Sequence, residues 1–188
     1  MNTYEQEQAL SDRYGIIIMN QIAATFYDKF CIKRVTDRET QLKGVDYFFF
    51  KKTANEQVTK QKVDLKFDYY ENENFVFETH QQYTGIGEQS WVYHDRDILV
   101  AYFKIYQRKV YLMKTSDLQD FMNTDTYKNR KVFETTRKVN GKSGGFKNFK
   151  FEEIPVDRII KIDLAVNSFE TDNLLKTKPS FSDEVLYT

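Results

Sequence analysis

Three residues in this chain have the types and spacing to act on a phosphodiester: Asp46, Asp64 and Lys66. Asp64 and Lys66 flank Leu65 inside the strand-like run KVDLKFDYY, and Asp46 stands beside the apolar run of GVDYFFF. Strand side chains alternate between faces, so Asp64 and Lys66 point the same way, about 6.5–7 Å apart, while Val63, Leu65 and Phe67 take the opposite, core-facing side. If the runs at 45–50 and 61–70 pair, Asp46 converges on the same point. Two adjacent carboxylates repel each other unless a cation lies between them. Mg²⁺ suits such a site, with Mn²⁺ as a substitute, because it takes a few carboxylates, several waters and substrate phosphate oxygens. The metal would lower the pKa of a bound water, and the Lys66 ammonium would orient that water and offset charge on the phosphate.

The elements around these residues follow from periodicity. Residues 5 to about 29 place Leu10, Tyr14, Ile17, Ile18, Gln21, Ile22 and Phe26 at spacings of three and four, the stripe of a long helix that Gly15 weakens without ending. CIKRV at 31–35 reads as a short strand, followed by a polar turn, TDRETQLKG. Three strands then follow, at about 45–50, 61–70 and 74–79, separated by KKTANEQVTK and ENEN and expected to form an antiparallel meander. A second block has strands at 91–95, 98–107 and 109–114, then a helix capped by Thr115 or Ser116. Pro155 is expected to open a helix in PVDRIIKI.

Composition narrows the class. The 188 residues suit one domain, 1–167, with 168–188 as a polar tail. Lys+Arg and Asp+Glu both total 28, so overall charge names no partner. Cys31 is the single cysteine, which excludes an internal disulfide and a cysteine-based zinc site; it reads as a packed residue. The polar, acidic first fifteen residues and the shortness of GIIIM lead to the expectation of a cytoplasmic chain without a membrane span. Phe and Tyr, 16 and 13 in number, mostly alternate within strand-like runs and so read chiefly as core.

Asp46, the Asp64-Leu65-Lys66 triplet and the flanking strand hydrophobics resemble the PD-(D/E)XK nuclease superfamily. Within it the chain looks like small bacterial and phage or mobile-element proteins with a similar Gly-x-Asp … Val-Asp-x-Lys signature. The resemblance covers about residues 5–115. It implies an α/β (α+β) restriction-endonuclease-like core, a central mixed sheet of four to five strands flanked by helices. It also implies Asp46 and Asp64 as metal ligands with the Leu65 carbonyl, Lys66 as the catalytic lysine, and an acid on the first helix, Glu7 or else Glu5. The family's proline is Val45 here, and the second acid is Asp.

Weaker signals lie outside the triplet. Glu78 and His80 alternate onto one face, and Glu78 could serve as a further ligand or outer-shell partner; Gln81 or Gln82 could touch substrate. A polar strand end accounts for the same residues equally well. His94 reads as a turn residue. Residues 128–150 form a basic insertion in which Lys128, Arg130, Lys131, Arg137, Lys138, Lys142, Lys147 and Lys150 face Glu134 alone, a local charge of +7. Such clustering suits a nucleic-acid backbone, and the interleaved Phe133, Phe146, Phe149 and Phe151 could stack on unpaired bases. The expected function is a Mg²⁺-dependent DNA nuclease. The alternative is an inactive nuclease-like module that binds DNA or a protein. A homodimer would suit cutting two strands, although nothing in the chain demands one.

Overall fold

The apolar stripe near the start forms α1 (Thr3–Phe26), the first helix of a computed structural model that describes residues 3–26, 30–52, 58–68, 71–80, 91–93, 95–134 and 144–162. Tyr14, Ile18 and Ile22, four residues apart, are buried together with Met19, whereas Ile17 of the expected stripe faces solvent. Gly15 has a specific reason to lack a side chain. A Cβ there would stand 2.1 Å from the buried Tyr47 hydroxyl, so the helix lies directly on the sheet at this point.

The sheet begins with β1 (Phe30–Arg34), β2 (Tyr47–Lys52) and β3 (Val58–Asp68), paired antiparallel in that order. β3 then runs parallel to β5 (Ile98–Lys104), which continues antiparallel through β6 (Lys109–Lys114) to β9 (Arg158–Lys161). The result is a mixed six-stranded sheet ordered β1-β2-β3-β5-β6-β9. The chain is therefore mixed α/β as expected, with more strands than expected. The extra strand is β9, where Pro155 was expected to start a helix; Ile160 is buried there between exposed Ile159 and Lys161, the alternation of an edge strand.

The expected meander ends at β3. β4 (Asn74–His80) pairs instead with β8 (Gly145–Lys150), which also pairs β7 (Phe133–Glu134), forming a second, three-stranded sheet. β5 occupies the edge of β3 that β4 would need. Phe75 and Phe77 of β4 pack with Val100, Tyr102, Met113 and Phe149, so the second sheet covers one face of the first while α1 covers the other. Residues 91–93 form a single 3₁₀ turn and not a strand. The expected polar turn contains a helix, α2 (Arg38–Leu42), whose Thr40 N–H donates to Asp37 Oδ1 at 2.8 Å. Thr115 starts α3 (Thr115–Met122) without capping it; its hydroxyl donates to the Asp95 carbonyl. α4 (Asp125–Lys128) follows, capped by Thr124. Cys31 is exposed, not packed. Among the described residues no helix is long and apolar enough to cross a membrane. The tail 168–188 lies outside them.

Candidate active site

β3 is shared between two partners with a stagger, and the stagger builds the site. Its pairing with β2 ends at Val63, opposite Tyr47, while its pairing with β5 runs from Lys62 to Asp68. Just before the start of β2, the edge of β3 is left to Asp46. The Asp46 N–H donates to the Val63 carbonyl at 2.9 Å, so Asp46 and Tyr47 both face Val63, as in a β-bulge. On its other side the Asp46 carbonyl accepts from Val35 N–H at 2.8 Å. Gly44 supplies the turn that delivers Asp46 from α2; its φ of 76° lies in the left-handed region that favours glycine.

Held this way, the Asp46 carboxylate Oδ2 accepts the Leu65 backbone N–H at 2.9 Å. The N–H and C=O of one strand residue project toward the same neighbour, so the Leu65 carbonyl also points to the Asp46 side. Leu65 and Val63 send their side chains into the core beneath α1, as alternation requires. Asp64 and Lys66 emerge on the opposite face, with Lys66 Nζ 3.0 Å from Asp64 Oδ1.

Asp64 is buried, with 3% of its surface exposed. Burial pushes its carboxyl up to about 7; Lys66 opposes this, and the Asp46 charge reinforces it. Among the described residues Asp64 Oδ1 has no hydrogen-bond donor of good geometry, and the Lys66 ammonium 3.0 Å away is its ion-pair partner. Burial works against the Lys66 ammonium, yet the charges of Asp64, Asp46 and, as a smaller contribution, Glu78 outweigh it and hold the amine above its ordinary range. Glu78, from the second sheet, is thus near enough to act on Lys66. The Lys66 side chain is 32% exposed, whereas that of Asp64 is 4% exposed.

This donor set fits a hard divalent cation. Asp46 and Asp64 offer carboxylate oxygens, one of them buried without a hydrogen-bond donor, and the Leu65 carbonyl projects to the same side. Among the described residues no three His, Cys, Asp or Glu side chains gather at one point; a magnesium ion that keeps several waters needs no more than the pair.

Other sequence-predicted residues fall elsewhere. The side chains of Glu5, Glu7 and His80, and the whole of Gln81, Gln82, His94, Arg137, Lys138 and Lys142, lie outside the described residues. Lys147 does not face solvent; it is buried, and its Nζ donates to the Tyr127 carbonyl at 2.7 Å. Arg130 is paired with Glu153 and lies over the Phe149 ring. Lys128, Lys131 and Lys150 are exposed. Phe146 and Phe149 are core residues, not base platforms, and Phe151 stacks on Tyr111 at 3.6 Å. The alternation of FKNFK in β8, and not the count of its charges, decides where its side chains go.

Sequence reasoning missed a second polar cluster on the same face of β3. Asp68 Oδ2 accepts from Tyr102 Oη at 2.6 Å and from Lys104 Nζ at 2.8 Å, all three buried. Lys104 also donates to the Asn74 carbonyl at 3.1 Å, and Val76 N–H donates to Tyr102 Oη at 3.4 Å. Burial pulls the Lys104 pKa down, with Asp68 opposing. The cluster ties the second sheet to the first beside the carboxylate pair. Its signal was available: Asp68 continues the two-residue step of Asp64 and Lys66. No protein-family model, no curated protein and no solved structure matches this chain.

Proposed function

We propose that this chain is a Mg²⁺-dependent DNA nuclease of the PD-(D/E)XK kind, hydrolysing phosphodiester bonds by direct attack of water. The observation that carries the reading is the convergence of Asp46 and Asp64 beside Lys66 at the start of β2, with Asp46 held by Leu65 N–H at 2.9 Å and Lys66 3.0 Å from Asp64. A bound divalent cation would acidify a water and offset charge on the scissile phosphate. Asp46, Asp64 and the Leu65 carbonyl are the groups to hold it. Lys66, kept protonated by three carboxylates, acts as a donor and a fixed positive charge and not as a base. The Lys66 side chain is 32% exposed, so its ammonium is placed to meet a phosphate oxygen or orient the attacking water while Asp64 stays buried beside it.

The test is incubation of the native chain with Mg²⁺ or Mn²⁺ and a panel of linear, nicked, branched and single-stranded DNA, with RNA as a control. Metal-dependent cleavage of any DNA supports the reading and names the substrate class. No cleavage of the whole panel would overturn it in favour of a nuclease-like module that binds without cutting.

A further inference from the structure

We propose that the groove between α2 and the β2–β3 ribbon holds an unpaired polynucleotide strand and leads it to the carboxylate pair. The inference rests on the nuclease reading and adds to it the place and form of the substrate. The groove has a volume of about 460 Å³, and its walls include Leu42, Lys43, Phe48, Lys60, Lys62 and Asp95.

Placement on the sheet is the first ground. Lys60, Lys62, Asp64 and Lys66 are alternate residues of β3 and share one face. Each step of two covers about 6.5–7 Å, comparable with the spacing of successive phosphates along an extended strand. Phe48 stands opposite Lys62 in the β2–β3 ladder, and Val45 of the groove precedes Asp46 in the chain. A backbone lying along the lysines is therefore directed along β3 toward Lys66, whose side chain is 32% exposed beside the buried Asp64.

The chemistry of the walls is the second ground. Three ammonium groups face one carboxylate, Asp95. Lys62 is paired with Asp95 and Lys43 with Glu39, in both cases with exposed side chains, so a phosphate can replace the acid at little cost. Lys60 Nζ sits 3.6 Å above the Phe48 ring, on a floor formed by Val35, Val45 and Ile98. Leu42 is 69% exposed at the rim. Lysines beside an aromatic floor and an exposed leucine suit alternating phosphates and bases. A base can present its face to such a floor only when it is not stacked within a duplex.

Binding is measured by fluorescence anisotropy with full-length Asp64→Asn protein, which leaves the strand uncut. The probes are a single-stranded deoxyoligonucleotide, a ribo-oligonucleotide of the same length, the DNA duplex and polyglutamate. Lys60→Glu and Lys62→Glu together are expected to weaken single-strand binding at least about tenfold and to flatten the log K against log salt slope by about 1.4. Phe48→Leu is expected to weaken binding several-fold with the slope unchanged. The two oligonucleotides decide between DNA and RNA. Lys60→Gln with Lys62→Gln repeats the test should the charge reversals fail to fold, as judged by thermal melting.

Affinity and slope indifferent to both lysines would overturn the groove, as would duplex binding as tight as single-strand binding, or polyglutamate bound as tightly through the same lysines. Cleavage by the native chain with binding indifferent to the lysines removes the groove and leaves the nuclease. Lysine-dependent binding without cleavage by the native chain leaves the groove and removes the nuclease.

Discussion

The Asp46 carboxylate accepts the Leu65 backbone N–H at 2.9 Å, across the point where β2 stops pairing with β3. One hydrogen bond thereby completes the edge of the strand and fixes a negative charge beside Asp64. Asp46→Asn keeps an acceptor for that N–H and removes the charge. Its stability should stay close to native, and isothermal titration should show Mg²⁺ affinity reduced by about tenfold or more. Asp46→Ala should lose the affinity and also destabilise by about 1–3 kcal/mol, the cost of an unsatisfied amide. Equal stability of the two variants in urea would argue against the structural half of this role.

Protons and metal should compete at Asp64. Its folded pKa, about 7, lies above the 3.8 of an ordinary Asp, so the folded protein binds more protons between those values than the unfolded chain. This contribution makes metal-free stability fall as pH rises from about 4 to about 7 and then level off. Urea melts of chelator-treated protein at pH 5 and pH 8, run beside Asp64→Asn, should show that fall in the native chain and its loss in the variant. Added Mg²⁺ should stabilise the native chain more at pH 8 than at pH 5.

Gly15 sets how closely α1 approaches the sheet. Alanine has the better helix propensity by about 1 kcal/mol, but its Cβ would sit 2.1 Å from the Tyr47 hydroxyl. Overpacking of this kind costs about 1–3 kcal/mol, so Gly15→Ala should lower the melting temperature. Adding Tyr47→Phe, which removes the obstructing oxygen, should restore part of the loss.

The buried Lys104–Asp68 pair makes a contrasting prediction. Lys104→Met leaves Asp68 buried with the Tyr102 hydroxyl as its remaining donor from the cluster, and should destabilise by about 3–5 kcal/mol. Replacing both members, Lys104→Met with Asp68→Leu, should cost less than the single change, because no uncompensated charge remains. Chemical denaturation of the two variants checks the order.

Local periodicity made much of this legible. The two-residue step in KVDLKFD placed Asp64 and Lys66 on one face and Val63 and Leu65 in the core, and the four-residue step in α1 named Tyr14, Ile18 and Ile22. What failed depended on partners distant in sequence. β4 follows β3 closely, yet its ladder partner β8 lies about seventy residues on, and no local pattern records that choice. Residues 38–42 looked like a turn because α2 buries none of its side chains. Charge count groups Lys147 with its basic neighbours, but its two-residue step to Phe149 in β8 turns it inward. The groove beside α2 has no local signature for the same reason: Phe48, Lys60 and Lys62 meet only once β2 and β3 are paired.

Cleavage of a labelled DNA strand by native, Asp64→Asn and Lys66→Ala protein, each with Mg²⁺ and with chelator, tests the nuclease assignment most directly. The native chain should cut only with metal, and each variant should lose activity by at least about 100-fold while keeping a cooperative unfolding transition. Equal cutting by all three proteins, or cutting unaffected by chelator, would contradict it.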